Sequence, residues 1–153
     1  MKTYDIIVIG TGGATLVADA AIAKGKKVAI IEKGKFGGTC LTRGCIPTKV
    51  MVTVADAVRE IEELPKIGVK VQPATIDWDL MSKRVWQKID ESKGVEAYYD
   101  RFENVDLYRG AASFVRDKVL TVKMNSGEVT EEITAPIIVL GAVSYTHMTL
   151  PTT

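Results

Sequence analysis

The stretch "YDIIVIGTGGATLVADAAIAKGKKVAIIEKG", Tyr4 to Gly34, constrains the fold of this chain more than any other. Its opening apolar run ends at Gly10 and reads as a strand buried on both faces, as in a parallel sheet. Small and apolar residues follow at helical spacing, with Gly25 as the C-terminal stop. A second buried strand covers Lys27 to Glu32. Strand, glycine turn, helix and strand within about 30 residues form a right-handed βαβ unit. Each position of "GTGGAT" then has a task. Gly10 permits the tight turn, and Gly12 lets backbone N–H groups approach a pyrophosphate at the helix start. Thr15 stands where a Gly or Ala would pack helix against strand. Glu32, at the end of the second strand, is placed to accept a hydrogen bond from a ribose 2′-hydroxyl. The ordered set favours dinucleotide binding over a merely structural turn, without separating NAD from FAD.

Beyond this unit the patterning predicts a helix from Pro47 to near Pro65, with Val50, Val54, Ala57, Val58 and Ile61 on one face. "IGVKVQ" reads as a brief strand. Asp77 caps a third helix running to about Arg101, with Trp78, Met81, Val85 and Ile89 in one stripe. From Val105 the period changes to two, and "VDLYRG", "ASFVRD", "VLTVKM" and "VTEEITA" read as an antiparallel meander, with Asn125-Ser126-Gly127 turning one hairpin. "APIIVLGA" returns to a buried strand that rejoins the first sheet. The expected fold is α/β, a Rossmann-like doubly wound parallel sheet with an added antiparallel β-meander. Residues 1–142 form the dinucleotide-binding domain. The last eleven residues, "VSYTHMTLPTT", resemble a peptide that arises when sequencing-adapter DNA is translated, so 143–153 are expected to be a non-native tail. His147, the only histidine, lies there and receives no chemistry.

Composition excludes several classes. Apolar residues make up 46% and charged residues 25%, which is globular. A net charge of +1 with no basic face speaks against nucleic acid. Asp5, the three early glycines and Asp19 break up the N-terminus as a signal peptide, and no stretch approaches the roughly 20 apolar residues of a membrane span. A cytoplasmic location follows as the expectation, where a disulfide is usually catalytic or sensing.

The chain has two cysteines, Cys40 and Cys45. They are too few for a structural zinc site, which takes four ligands. Their spacing is not the two-residue gap of thioredoxin-type motifs. Five helical steps rise about 7.5 Å, beyond a disulfide's reach within one regular helix. Cys40 is therefore expected in a loop or distorted first turn, eased by Gly44 and Pro47. So small a loop gives a structural disulfide little stabilising value. A reversible dithiol/disulfide pair and two cysteines close by accident both stay open on these grounds.

"GGTCLTRGCIPTK", Gly37 to Lys49, following "DIIVIGTGG" at this distance, resembles the pyridine nucleotide–disulfide oxidoreductases, which include dihydrolipoyl dehydrogenase and mycothione, glutathione and mercuric reductases. "YRGAASF" resembles the family's Gly-x-Ala/Gly-x-Phe segment beneath the adenine. The likeness runs from Lys2 to about Ala142 and covers the N-terminal part of the family's FAD domain. It implies that Gly10, Gly12, Gly13, Glu32 and Lys33 bind the ADP half of FAD and that the backbone at Ala112 contacts adenine. Gly38 and Thr39 would line the flavin side, with Lys49 reaching the N5 region. Cys40 corresponds to the interchange thiol and Cys45 to the thiol lying against the flavin. A buried thiolate there would have a lowered pKa, supported by Lys49 and the helix start after Pro47.

The same likeness implies, of the members, dihydrolipoyl dehydrogenase first. Dihydrolipoyl thiols would reduce the Cys40–Cys45 disulfide, electrons would pass to FAD, and NAD⁺ would leave as NADH. Mycothione, glutathione or mercuric reductase is the alternative, as is a non-catalytic FAD-binding or thiol-sensing module. "CLTRGC" departs from the family's familiar "CLNVGC" at Thr42 and Arg43. The family's histidine base and its second glycine fingerprint for NAD or NADP have no counterpart here, so the fragment alone is expected to be inactive. For a full-length parent, a homodimer is expected, with a 2-oxo acid dehydrogenase complex as partner if it is the dihydrolipoyl enzyme.

Overall fold

A computed structural model describes residues 1–142 of the 153. The expected non-native tail, 143–153 with His147, lies outside the described residues. Two compact units divide the chain: Met1–Gly38 together with the chain from Lys93 onward, and Thr39–Ser92.

The first unit is built on seven strands: β1 (Lys2–Thr3), β2 (Ile6–Ile9), β3 (Val28–Glu32), β4 (Val105–Arg116), β5 (Val119–Met124), β6 (Ile133–Thr134) and β7 (Ile137–Leu140), ordered β1-β6-β5-β4-β3-β2-β7. The strands β4, β3, β2 and β7 pair in parallel, as the continuous apolar runs require. Ile7, Val8, Val28, Ala29 and Ile30 have no exposed surface. Burying each large side chain stabilises the sheet by about 1.5–3 kcal/mol. Helix α1 (Thr15–Ile22) and helix α5 (Ser92–Asp100) cover one face, where Ala18, Ala21 and Tyr99 pack on Val8, Val28 and Ile30. Tyr99 donates to Asp19 at 2.8 Å and so ties α5 to α1. On the other face Leu120, Val122 and Ile133 of the antiparallel strands meet Ile7, Ala29 and Ile31. The mixed α/β, mostly parallel sheet agrees with the Rossmann-like expectation, and "APIIVLGA" does rejoin the first sheet as β7 beside β2.

Three expectations need correction. "VDLYRG" and "ASFVRD" are one strand, β4, parallel to β3 as far as Arg109 and antiparallel to β5 from Gly110. The change of partner takes place at Gly110, where a Cβ would lie 2.3 Å from the Lys123 carbonyl oxygen. The period of two marks a strand, but alternation does not state a partner's direction. "IGVKVQ" is no strand: residues 69–77 are irregular after the 3-10 turn Leu64–Ile67. Val69 and Val71 are exposed, and among the described residues no strand lies in that unit to pair with them; unpaired, an extended segment gains no ladder bonds. The third helix is broken into α4 (Trp78–Asp90) and α5. Asp77 caps it as expected, accepting from the Leu80 N–H at 2.9 Å. Of its stripe, Met81 and Ile89 are buried, while Trp78 is 63% exposed at the first turn.

The second unit holds α2 (Gly38–Thr42, which starts on the last residue of the first), α3 (Cys45–Glu63) and α4. Val54, Ala57, Val58 and Ile61 of α3 face Leu80, Met81 and Arg84 of α4 across a pocket of about 250 Å3. No helix among the described residues is long and apolar enough to cross a membrane.

Candidate active site

Register aligns the carboxyl ends of the parallel strands. Ile9 pairs with Ile31 and Leu140, so Gly10, Glu32 and Gly141 share one edge. This is where strand order reverses about β2, the place where open α/β sheets take ligands.

The glycine turn is crowded on one side and open on the other. Gly10 has φ +94°, and a Cβ there would meet the Gly141 carbonyl oxygen at 2.7 Å. Gly141 in turn donates its N–H to Ile9 at 2.7 Å and touches Ala14, whose Cβ would stand 2.2 Å from a Cβ at 141. Close helix–strand packing is thus met by Ala14 and Gly141 rather than at Thr15, whose hydroxyl donates to the Gly12 carbonyl at 2.8 Å. A Cβ on Gly12 would have only an ordinary contact, with Gly38 at 3.9 Å, and one on Gly13 would meet nothing within 4 Å. These two bare backbone positions, at the start of α1, form a cradle suited to a pyrophosphate.

Glu32 is held by the chain itself. Its Oε2 accepts from the Thr11 N–H at 3.0 Å and the Thr11 hydroxyl at 2.7 Å, and its Oε1 accepts from the Gly34 N–H at 2.8 Å. Thr11 is buried, and its hydroxyl oxygen also accepts from Gly37 N–H at 3.0 Å. Lys33 is exposed, its carbonyl taking a hydrogen bond from Asn125 at 3.2 Å. Gly37 and Gly38 have φ of +103° and +68°, and a Cβ on Gly38 would collide with Gly12 Cα at 2.5 Å. The paired glycines before the cysteines are therefore required by close approach to the glycine turn. Ala112 lies elsewhere on the sheet, in β4 opposite Val122.

In the helical unit the two cysteines lie on different helices, Cys40 in α2 and Cys45 opening α3. The break at Arg43-Gly44 folds the second helix back on the first. A Cβ on Gly44 would stand 3.0 Å from the Thr39 carbonyl oxygen and 3.5 Å from Cys40 Cα. Cys40 is thus helical rather than in a loop, while the exclusion of one regular helix holds. The helix begins at Cys45, two residues ahead of the buried Pro47. Both thiols are free and exposed. The Cys40 thiol is shifted upward, first by its hydrogen bond with Cys45, then by desolvation and the neighbouring thiol's charge. Lys49, one helical turn past Cys45, pulls in the opposite direction.

The structure groups Gly10, Gly12, Gly13, Glu32 and Gly38 around Thr11, and groups Thr39, Cys40, Cys45 and Lys49 around the helix break. Thr11, Gly141 and Gly110 escaped the sequence reading. A glycine directly after each apolar strand was the available signal for Gly141.

Comparison with known proteins agrees. Residues 4–151 match the family described as pyridine nucleotide-disulphide oxidoreductase. A mycothione reductase of Mycobacterium tuberculosis is 36% identical over 148 residues, 94% of this chain and 31% of the relative. A dihydrolipoyl dehydrogenase of Chlamydia pneumoniae is 35% identical over 147 residues, again 94% and 31%. A glutathione reductase of Schizosaccharomyces pombe is 34% identical over 145 residues, 91% and 31%. The chain spans about a third of the length of these relatives. The cradle, the aligned strand ends and the neighbouring cysteines accord with these matches, and the chain belongs to the pyridine nucleotide-disulphide oxidoreductase family.

Proposed function

We propose that this chain supplies the FAD-binding part and the redox dithiol of a disulfide oxidoreductase whose full-length form is a dihydrolipoyl dehydrogenase. The observation that carries the reading is the pairing of Cys40 with Cys45 across the break at Gly44, with both thiols accessible. Closing the pair forms one S–S bond and releases two electrons and two protons; opening it takes them up. Cys40 is assigned the exchange with substrate sulfur, and Cys45 the inner side of the pair. The hydrogen bond with Cys45 shifts the Cys40 thiol upward, and Lys49 offsets part of that shift.

The residues fit FAD. Gly10, Gly12 and Gly13 are assigned to the pyrophosphate, Glu32 and Lys33 to the ADP ribose, and Ala112 to adenine. Gly38, Thr39 and Lys49 are assigned to the flavin side. What supports this is the open cradle at Gly12 and Gly13 and a carboxylate already oriented beside it. When bound, FAD would supply the two-electron acceptor for the dithiol. Binding of NAD or NADP, the catalytic base, homodimer formation, docking to a 2-oxo acid dehydrogenase complex and a cytoplasmic location are assigned to the full-length protein.

A second reading, mycothione reductase, is favoured by the 36% identity to that enzyme. The full-length protein separates the two: dihydrolipoamide with NAD⁺ against mycothiol disulfide with NADPH. Either activity should vanish in Cys40→Ser and in Cys45→Ser. Turnover surviving in Cys45→Ser would reject the dithiol role.

A further inference from the structure

We infer that Thr11, the middle residue of Gly-Thr-Gly, is a positioning residue for the dinucleotide: its hydroxyl sets the Glu32 carboxylate for the ribose and ties it to the Gly37–Gly38 turn. This rests on the proposal that FAD binds at the glycine turn.

Thr11 is 2% exposed. Its hydroxyl donates to Glu32 Oε2 at 2.7 Å while accepting from Gly37 N–H at 3.0 Å, and its own N–H donates to that same Oε2 at 3.0 Å. A carboxylate offers about four acceptor sites. Thr11 takes two on Oε2, and the Gly34 N–H takes one on Oε1. The remaining site is on Oε1, which is therefore the oxygen left for a ribose hydroxyl. Without these bonds the long Glu32 side chain would have to be ordered when ligand binds, which weakens affinity. The hydroxyl donates to Glu32 and accepts from Gly37 through one atom. Ser retains both bonds; Val, of the same shape, retains neither.

The test is a titration of the 153-residue chain with FAD and with its 2′-deoxyadenosine analogue, which lacks the hydroxyl. On the unmodified chain the analogue should bind about tenfold more weakly; equal affinity overturns the inference. Thr11→Val should weaken FAD about tenfold, and Thr11→Ser by no more than about threefold. With the analogue the Thr11→Val penalty should fall to about one, because the carboxylate then has nothing to receive. An equal penalty for both ligands would mean a merely structural threonine and would overturn the positioning role. Amide hydrogen exchange in the cofactor-free chain separates this inference from the FAD proposal itself. The Gly37 amide should exchange about tenfold faster in Thr11→Val and at the native rate in Thr11→Ser. Native exchange in both overturns the inference even if FAD binds, whereas failure of the unmodified chain to bind FAD overturns the proposed function.

Discussion

In the sheet unit a single added methyl group at Gly38 or Gly10 has nowhere to go, whereas along α3 and α4 whole apolar side chains stand in solvent. A Cβ at those glycines would lie 2.5 Å from Gly12 Cα and 2.7 Å from the Gly141 oxygen. In the helical unit Met51 and Val52 are 47% exposed and Trp86 57% exposed, and Pro47 is the buried residue of α3. Both apolar core clusters among the described residues belong to the sheet unit. The difference teaches where residue identity is dictated by backbone contact and where it is dictated only by helical periodicity. The glycine turn and the strand ends are specified atom by atom. The helices need only keep Cys40 and Cys45 together at Gly44.

Substitutions can break that contrast. Gly38→Ala combines a backbone collision with a positive φ and should cost about 4 kcal/mol or more in denaturant unfolding. Gly13→Ala, which meets nothing within 4 Å, should stay within about 0.5 kcal/mol. Comparable losses would show that the turn is not sterically specified. Next in size, Leu120→Ala removes a fully buried core side chain and should cost about 2–5 kcal/mol. Leu80→Ala, at a residue 56% exposed on α4, should cost less than about 1 kcal/mol; an equal loss would place a real core in the helical unit.

Smaller effects appear on titration, at opposite ends of the pH scale. Burial pulls the Asp106 carboxyl upward, but hydrogen bonds from Tyr4 and Lys2, together with the Lys2 and Lys27 charges, outweigh it and leave the group below its ordinary value. A lowered carboxylate contributes stability above its unfolded pKa and loses it as pH falls through the folded one. Acidification below about pH 4 should therefore destabilise the sheet unit, and Asp106→Asn should flatten that slope. The Cys40 thiol is shifted the other way. In Cys45→Ala its alkylation should begin at lower pH than in the native chain, and in Lys49→Met at higher pH, read by mass spectrometry of the modified peptide. An unmoved profile in Cys45→Ala would mean that the two thiols do not interact.

Much of this was legible in the sequence because local rules coincide with tertiary ones in βαβ units. The run before Gly10, the helix closed by Gly25 and the strand to Glu32 lie where patterning puts them. Spacing required a break between Cys40 and Cys45 only if their sulfurs are to bond, and the chain does break there, at Gly44. What stayed hidden depends on partners far along the chain. The single strand β4 cannot be read from alternation, because its two halves pair with β3 and β5 in opposite directions. The break between α4 and α5 leaves the helical stripe intact, with Met81 and Ile89 still buried. Thr11 carries no signal in local patterning, since its partner Glu32 lies 21 residues away.

The most direct test loads the purified chain with FAD, exposes it to mild oxidant and then to reductant, and maps its thiols by mass spectrometry. The account predicts one FAD retained per chain and a Cys40–Cys45 disulfide that closes and reopens. A chain that holds no flavin, or whose two thiols are alkylated independently and never join, would contradict it.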